Sequence, residues 1–251
     1  WCAIIYFFTK HSIFIVLILQ ILYTSLIPIV VYYIAYKIYD AKTAILSSIC
    51  SVFVPGITIY SATKLHQMPL YALFFLLSLL LTLRLSESFS NRNQILLGIV
   101  LGTSFLIRST TIFIILAIFS WLWFTLKIEI KKKIFAILKV LVIAGIIITP
   151  WVVRNYLVHK KLILFQTSDG YCLYIATNPN ATGTLYLPDG RFQLEGIPEE
   201  LLRKHNTLTE MQFRDLMRSE AWKFIRQDPV RILRLSMLRF FYFWWFSPLS
   251  G

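Results

Sequence analysis

Four side chains combine a positive or titratable group with a place at the end of an apolar segment. Lys64 and His66 share one connection, Arg108 sits in another, and Arg154 follows the last long apolar run directly after Pro150-Trp151. Cations gathered at a membrane interface suit an anionic oxygen, since Arg offers paired donors and Lys a point charge. Each residue also has a plainer explanation. Lys64 can anchor to headgroups, His66 can be a solvated loop residue, and Arg154 can simply mark where a span ends. Arg108 is harder to dismiss. Two short apolar segments flank it, and ionisable groups in such places are functional candidates by default.

Other catalytic patterns are missing. There is no G-x-S-x-G, no P-loop and no H-E-x-x-H. Before residue 152 the only acids are Asp40, Glu87 and Glu129. Asp169 and Asp189 each adjoin glycine, where Asp is common for backbone reasons. Cys2, Cys50 and Cys172 give neither a disulfide framework nor a metal spacing. Asn180-Ala181-Thr182 fits a glycosylation acceptor, which matters only in a secretory-pathway host.

The elements that must hold these residues are apolar. The chain has 251 residues, 57% hydrophobic and 15% charged, with a mean hydropathy of +0.68. That composition excludes an ordinary soluble domain and points to lipid as the main solvent. Six apolar segments are predicted as spans: 13–36, 43–61, 69–83, 94–107, 110–126 and 134–151. The fold class is therefore an all-α polytopic membrane bundle over 1–151. The pair 94–107 and 110–126 reads either as one long helix or as two split at Arg108-Ser109.

Charge favours two helices. The connections at 37–42, 84–93 and 127–133 then share a side and carry Lys37, Lys42, Arg84, Arg92, Lys127, Lys131, Lys132 and Lys133. The other side holds Lys10, Lys64 and Arg108. The positive-inside rule makes the first side cytoplasmic, with Lys139 close enough to snorkel out to it. The net charge of +13 forms no binding stripe, so nucleic acid is not an expected partner.

Residues 152–236 are then an extracytoplasmic segment of small α+β type. Leu162–Phe165 and Tyr171–Ala176 read as strands, and Leu185–Phe192 as a hairpin turning at Pro188-Asp189-Gly190. Thr207-Leu208-Thr209-Glu210 reads as a capping box, before a helix with Phe213, Met217, Ala221 and Phe224 at helical spacing. Asp228-Pro229 should cap a further helix, with Arg231 and Arg234 on one side and Val230, Leu233 and Met237 on another. Aromatics fill Phe240 to Phe246, and 237–251 reads as the start of another span, with a lipid-binding surface as the alternative. The chain opens on Trp1 and stops at Gly251 beside an apolar run, which predicts an internal segment of a longer membrane protein.

Between 150 and 183 the sequence takes a recognisable form: Pro150-Trp151-Val152-Val153-Arg154-Asn155-Tyr156, Gly170-Tyr171-Cys172-Leu173, and Asn178-Pro179-Asn180-Ala181-Thr182-Gly183. It resembles the family 39 glycosyltransferases of the GT-C superfamily, which are like the dolichyl-phosphate-mannose–protein mannosyltransferases. Upstream, Pro55 with Tyr60-Ser61, Gly98–Gly102 and Leu106-Ile107-Arg108 are similar to that family's middle spans.

The resemblance implies a multi-pass membrane enzyme. It would take a sugar from a polyprenyl-phosphate-linked donor and pass it to a protein or lipid-glycan acceptor outside the cell. In that scheme the cations at the span ends, Arg108, Lys64 and Arg154 with His66, are the candidates for holding the donor phosphate, and Asn155, Tyr171 and Asn178 for shaping the acceptor site. The resemblance also places the catalytic acidic residue in an outer loop upstream of Trp1, so that no catalytic residue is expected within this chain. Many members carry a Thr-Glu pair where this chain has His66-Gln67. The neutral amide weakens the case for a divalent metal, and no other cofactor is implied. Two competing readings remain, a transporter or flippase and a catalytically silent scaffold. Ionisable residues at span ends rather than mid-membrane argue against the transporter.

Overall fold

The computed structural model describes residues 2–9, 12–163 and 167–245. Among them are thirteen α-helices and no strand. The chain forms two compact units, Trp1–Arg154 and Asn155–Gly251.

The first unit begins with α1 (Cys2–Thr9), α2 (Ile13–Thr24) and α3 (Ile27–Ile38). Together Ile13–Ile38 form one apolar stretch of 26 residues, long enough to cross a bilayer. Next come α4 (Ala41–Val52) and α5 (Pro55–Thr63), bent by 50° where Pro55 restarts the helix. The unit continues with α6 (Met68–Glu87), α7 (Asn91–Ile107), α8 (Thr111–Thr125) and most of α9 (Ile130–His159), whose last residues belong to the second unit. The six apolar segments fall on helices, with 13–36 divided between α2 and α3 and 43–61 between α4 and α5, and Arg108–Thr110 separate α7 from α8. By length and composition, three of the described helices can span a membrane, or four if the bent pair counts as one span. The others of the six are shorter.

Packing explains the order. Leu81, Leu85, Leu97, Leu101, Ile118 and Val140 bury together where α6, α7, α8 and α9 meet. Ile27, Val30, Leu73 and Leu80 join α3 to α6. Short polar caps start two helices: the Asp40 carboxylate accepts from Thr43 N–H at 2.8 Å, and Ser90 Oγ accepts from Asn93 N–H at 3.2 Å.

The second unit holds α10 (Asp169–Thr177), α11 (Glu199–Thr207), α12 (Glu210–Gln227) and α13 (Pro229–Trp244). Tyr174, Ile197, Phe213, Met217 and Ala221 form its core. Tyr171–Ala176 is therefore helix, not strand. Gly170 lets α10 approach α12 so closely that an added Cβ would lie 2.2 Å from the Arg214 carbonyl oxygen. Of the other expected strand, Leu162 and Ile163 are not in a strand, and 164–165 lie outside the described residues.

The hairpin survives only as a turn with one bridge, Tyr186 to Phe192, and Gly190 at φ +85°. The capping box sits two residues later than expected. Thr209 pairs reciprocally with Gln212, while the Thr207 hydroxyl donates to the Lys204 carbonyl. Asp228 caps α13 as expected, accepting from Arg231 N–H at 2.8 Å.

Candidate functional site

The connection between α5 and α6 is held by a residue the sequence reading passed over. Gln20, on α2, is fully buried. Its amide N–H groups donate to the carbonyls of Ser61 (3.0 Å) and Lys64 (2.8 Å), and its oxygen accepts from His66 N–H at 3.4 Å. A glutamine inside an otherwise apolar helix needs such partners, because an unpaired amide in a dry interior costs on the order of 1–3 kcal/mol. Gln20 is the one strongly polar side chain in α2, and that isolation was the available signal.

His66 has a defined part here. Its Nδ1 accepts from Met68 N–H at 3.1 Å, so the imidazole caps α6 in place of Gln67, whose side chain makes no cap. Lys64, His66 and Gln67 have exposed side chains.

Arg108 closes α7, with backbone in the extended region. Its N–H donates to Ser104 O at 2.9 Å and its carbonyl accepts from Thr111 N–H at 3.1 Å. The Thr111 hydroxyl also donates to that carbonyl at 2.7 Å and lies 3.2 Å from Ser104 Oγ. Both hydroxyl residues are buried. The half-buried guanidinium then reaches across to α6. Nη1 lies 2.8 Å from Met68 Sδ, and Cζ is 5.8 Å from the centre of the Tyr71 ring. Tyr71 Oη is 3.4 Å from Thr110 Oγ1. Met68 thus touches both His66 and Arg108, and the two predicted loops meet at one end of α6.

The other predicted residues have contacts of their own. Arg154 is exposed on α9 and lies over the Trp151 ring at 5.3 Å. Asn155 belongs to the second unit, where its buried amide donates to the Ile163 carbonyl at 3.3 Å. Asn178 is also buried. It donates to Ile175 O (3.2 Å) and Gln193 Oε1 (3.3 Å) and accepts from Asn180 N–H (2.9 Å). Both amides thus hold loop backbone in place. Tyr171 does face a cleft, of about 330 Å³, with His205, Glu210, Phe213 and Arg214. Burial raises its phenol above the ordinary value.

In the first unit an apolar groove of about 650 Å³ runs along α3, α6 and α8, lined by Ile34, Phe75, Leu79, Leu83, Ile118 and Trp121. Among the described residues, no three His, Cys, Asp or Glu side chains gather as metal ligands.

A family model described as dolichyl-phosphate-mannose-protein mannosyltransferase matches residues 2–153. The match covers the helices of the first unit and ends short of most of the 150–183 stretch on which the sequence resemblance rested most. No curated protein and no solved structure matches the chain.

Proposed function

Since the chain belongs to the dolichyl-phosphate-mannose-protein mannosyltransferase family, we propose that it uses a polyprenyl-phosphate-linked sugar and delivers it to a protein or lipid-glycan acceptor on the extracytoplasmic face. Membership alone makes it an integral membrane protein of a glycosyltransferase family, in keeping with its apolar helices. The donor and the side of the membrane are our inference.

The observation that carries this reading is the meeting of Arg108 with the His66 loop at Met68. In the reaction, the bond between the sugar's anomeric carbon and the carrier phosphate breaks, and charge collects on the departing phosphate oxygen. A cation held there stabilises the transition state more than the ground state. Arg108 has that role, with Lys64 and His66 as secondary donors and Arg154 as a further candidate. The groove along α3, α6 and α8 suits an isoprenoid tail. The acceptor hydroxyl forms the new bond to the anomeric carbon and gives up its proton to a carboxylate acting as base, as the family resemblance implies. Tyr171 is assigned to the acceptor side through the cleft it faces, and Asn155 and Asn178 as residues that hold loops of the same unit.

The test is sugar transfer by the full-length protein in lipid. Arg108→Ala removes one charge-assisted contact of roughly 1.5–3 kcal/mol, so transfer should fall about ten- to a hundredfold. Arg108→Lys should recover part of the loss. An unchanged rate in a folded, membrane-inserted Arg108→Ala protein removes Arg108 from the mechanism.

A further inference from the structure

The apolar residues of α13 form one stripe. Val230, Leu233, Met237, Phe240, Phe241 and Trp244 recur at intervals of three and four, which places them within roughly 100° of helix surface. All six are between 58% and 75% exposed. The opposite face is seated on its own unit. Leu235 is buried. Arg231 donates to the carbonyls of Thr177 (3.3 Å), Asn178 (2.7 Å), Pro179 (2.8 Å) and Ala181 (3.4 Å), and Arg239 donates to that of Ala176. These bonds fix the rotation of the helix, so the stripe must point away from the loop at 176–181.

Water is a poor neighbour for six large apolar side chains in a row. A span is a poor use of them as well. Sixteen residues rise about 24 Å, short of the roughly 30 Å hydrocarbon core. Arg231, Arg234 and Arg239 all lie within those sixteen, and each arginine at a bilayer centre costs at least about 2.5 kcal/mol. An entering helix would also drag the loop bound to Arg231 and Arg239 into lipid. The bilayer surface avoids each of these costs. Its partner is already present, because the chain's own apolar helices lead through α9 into this unit. Phe, Trp and Arg are the residues that interfacial helices use. Arg234 borders the stripe and is exposed, placed to snorkel toward lipid phosphate.

We propose that α13 is an in-plane membrane-surface helix, with its apolar stripe seated in the headgroup–acyl boundary of a phospholipid bilayer. The stretch from 237, expected to open a span, then lies along the surface through Trp244. This proposal rests on membrane residence and not on the identity of the sugar donor.

The test places single cysteines at 230, 233, 237, 240 and 244 of the full-length protein, with Cys2, Cys50 and Cys172 replaced by serine. Each is spin-labelled in phospholipid nanodiscs and probed with oxygen and with a water-soluble nickel chelate. Oxygen should collide more often than nickel at all five, at one shared depth of about 5–10 Å below the headgroups. A cysteine at Ser236, off the stripe, should show the reverse preference. Depth increasing steadily from 230 to 244 would mean a span. Exclusion of both probes would mean a covering helix or a second copy. Nickel dominance throughout would mean a water-facing surface. Any of the three overturns the proposal.

Discussion

The guanidinium of Arg108 is aimed by neighbours that carry no charge. Ser104 and Thr111 are buried on the facing ends of α7 and α8, and their hydroxyls lie 3.2 Å apart. The Thr111 hydroxyl holds the Arg108 carbonyl at 2.7 Å. Thr111→Val keeps the shape and removes that bond, so it should cost about 1 kcal/mol of stability. If Thr111 positions Arg108, the loss in transfer should fall mainly on kcat, and Thr111→Ser should restore it. A matching loss of stability with unchanged kcat would show a structural role only. None of this was legible in the sequence, where Ser104 and Thr111 read as ordinary small polar residues of membrane helices. Arg108 was legible because a cation between two apolar runs has few neutral explanations. Gln20 is the instructive omission. A lone amide in α2 has to satisfy several hydrogen-bonding atoms, and its need for partners said that another backbone segment must come to it.

Helix contacts depend on small residues in two places. On α7, a Cβ added to Gly98 would lie 2.9 Å from Val140 O, and one on Gly102 would lie 2.9 Å from Ala144 O. This Gly-x-x-x-Gly pair lets α7 and α9 approach to backbone contact, as small residues do between membrane helices. Gly102→Val should destabilise the first unit by about 1–3 kcal/mol, read as a lower thermal midpoint in detergent, whereas Gly56→Ala, with open space around it, should leave the midpoint unmoved. The apolar runs gave the helices of this unit because length and hydropathy suffice there. In the second unit the same habit of reading misled. Tyr171–Ala176 has strand-like composition, yet the close approach at Gly170 rewards a helix on α12, and tertiary contact overrode local preference. The Pro-Asp-Gly turn was legible, and its chemistry gives a pH prediction. Hydrogen bonds from Arg191 hold the Asp189 carboxyl below its usual 3.8. A depressed value in the folded chain means the bond is present above the unfolded pKa and is lost as pH falls through the folded one. Hydrogen exchange across residues 185–193, corrected for intrinsic rate, should therefore stay constant from pH 5 to 8 and quicken only below about pH 4. Loosening near neutrality would assign the turn's stability to something else.

Across the whole first unit, charge is sorted by helix end. α6 has 20 residues, about 30 Å of rise, and its two ends differ in kind. Lys37 pairs with Glu87 near its C-terminus. Lys139 reaches Asn91 Oδ1 at 2.8 Å just beyond, and Lys133 reaches Trp123 O at 2.8 Å. At the N-terminus stand His66, Met68 and Arg108. Lysines crowd the first end, and Arg108 and His66, two of the phosphate-binding candidates, hold the second. A transporter would be expected to carry ionisable groups between the ends, at mid-membrane. The sorting predicts orientation through the positive-inside rule, with the lysine-rich end in the cytoplasm. A cysteine replacing the exposed Leu185 should react with an impermeant maleimide added to intact cells, in a background without Cys2, Cys50 and Cys172. A cysteine replacing Glu129, between α8 and α9, should react only after permeabilisation. Leu185 is preferred over Gly190, whose φ of +85° would strain a cysteine. The reverse labelling pattern would turn the bundle over and put Arg108 on the cytoplasmic face, where a phosphate donor would have to be bound from the other leaflet. The fold would be untouched by that result, and only the side on which the chemistry occurs would change. The labelling experiment therefore tests the proposed site of transfer separately from the proposed role of Arg108.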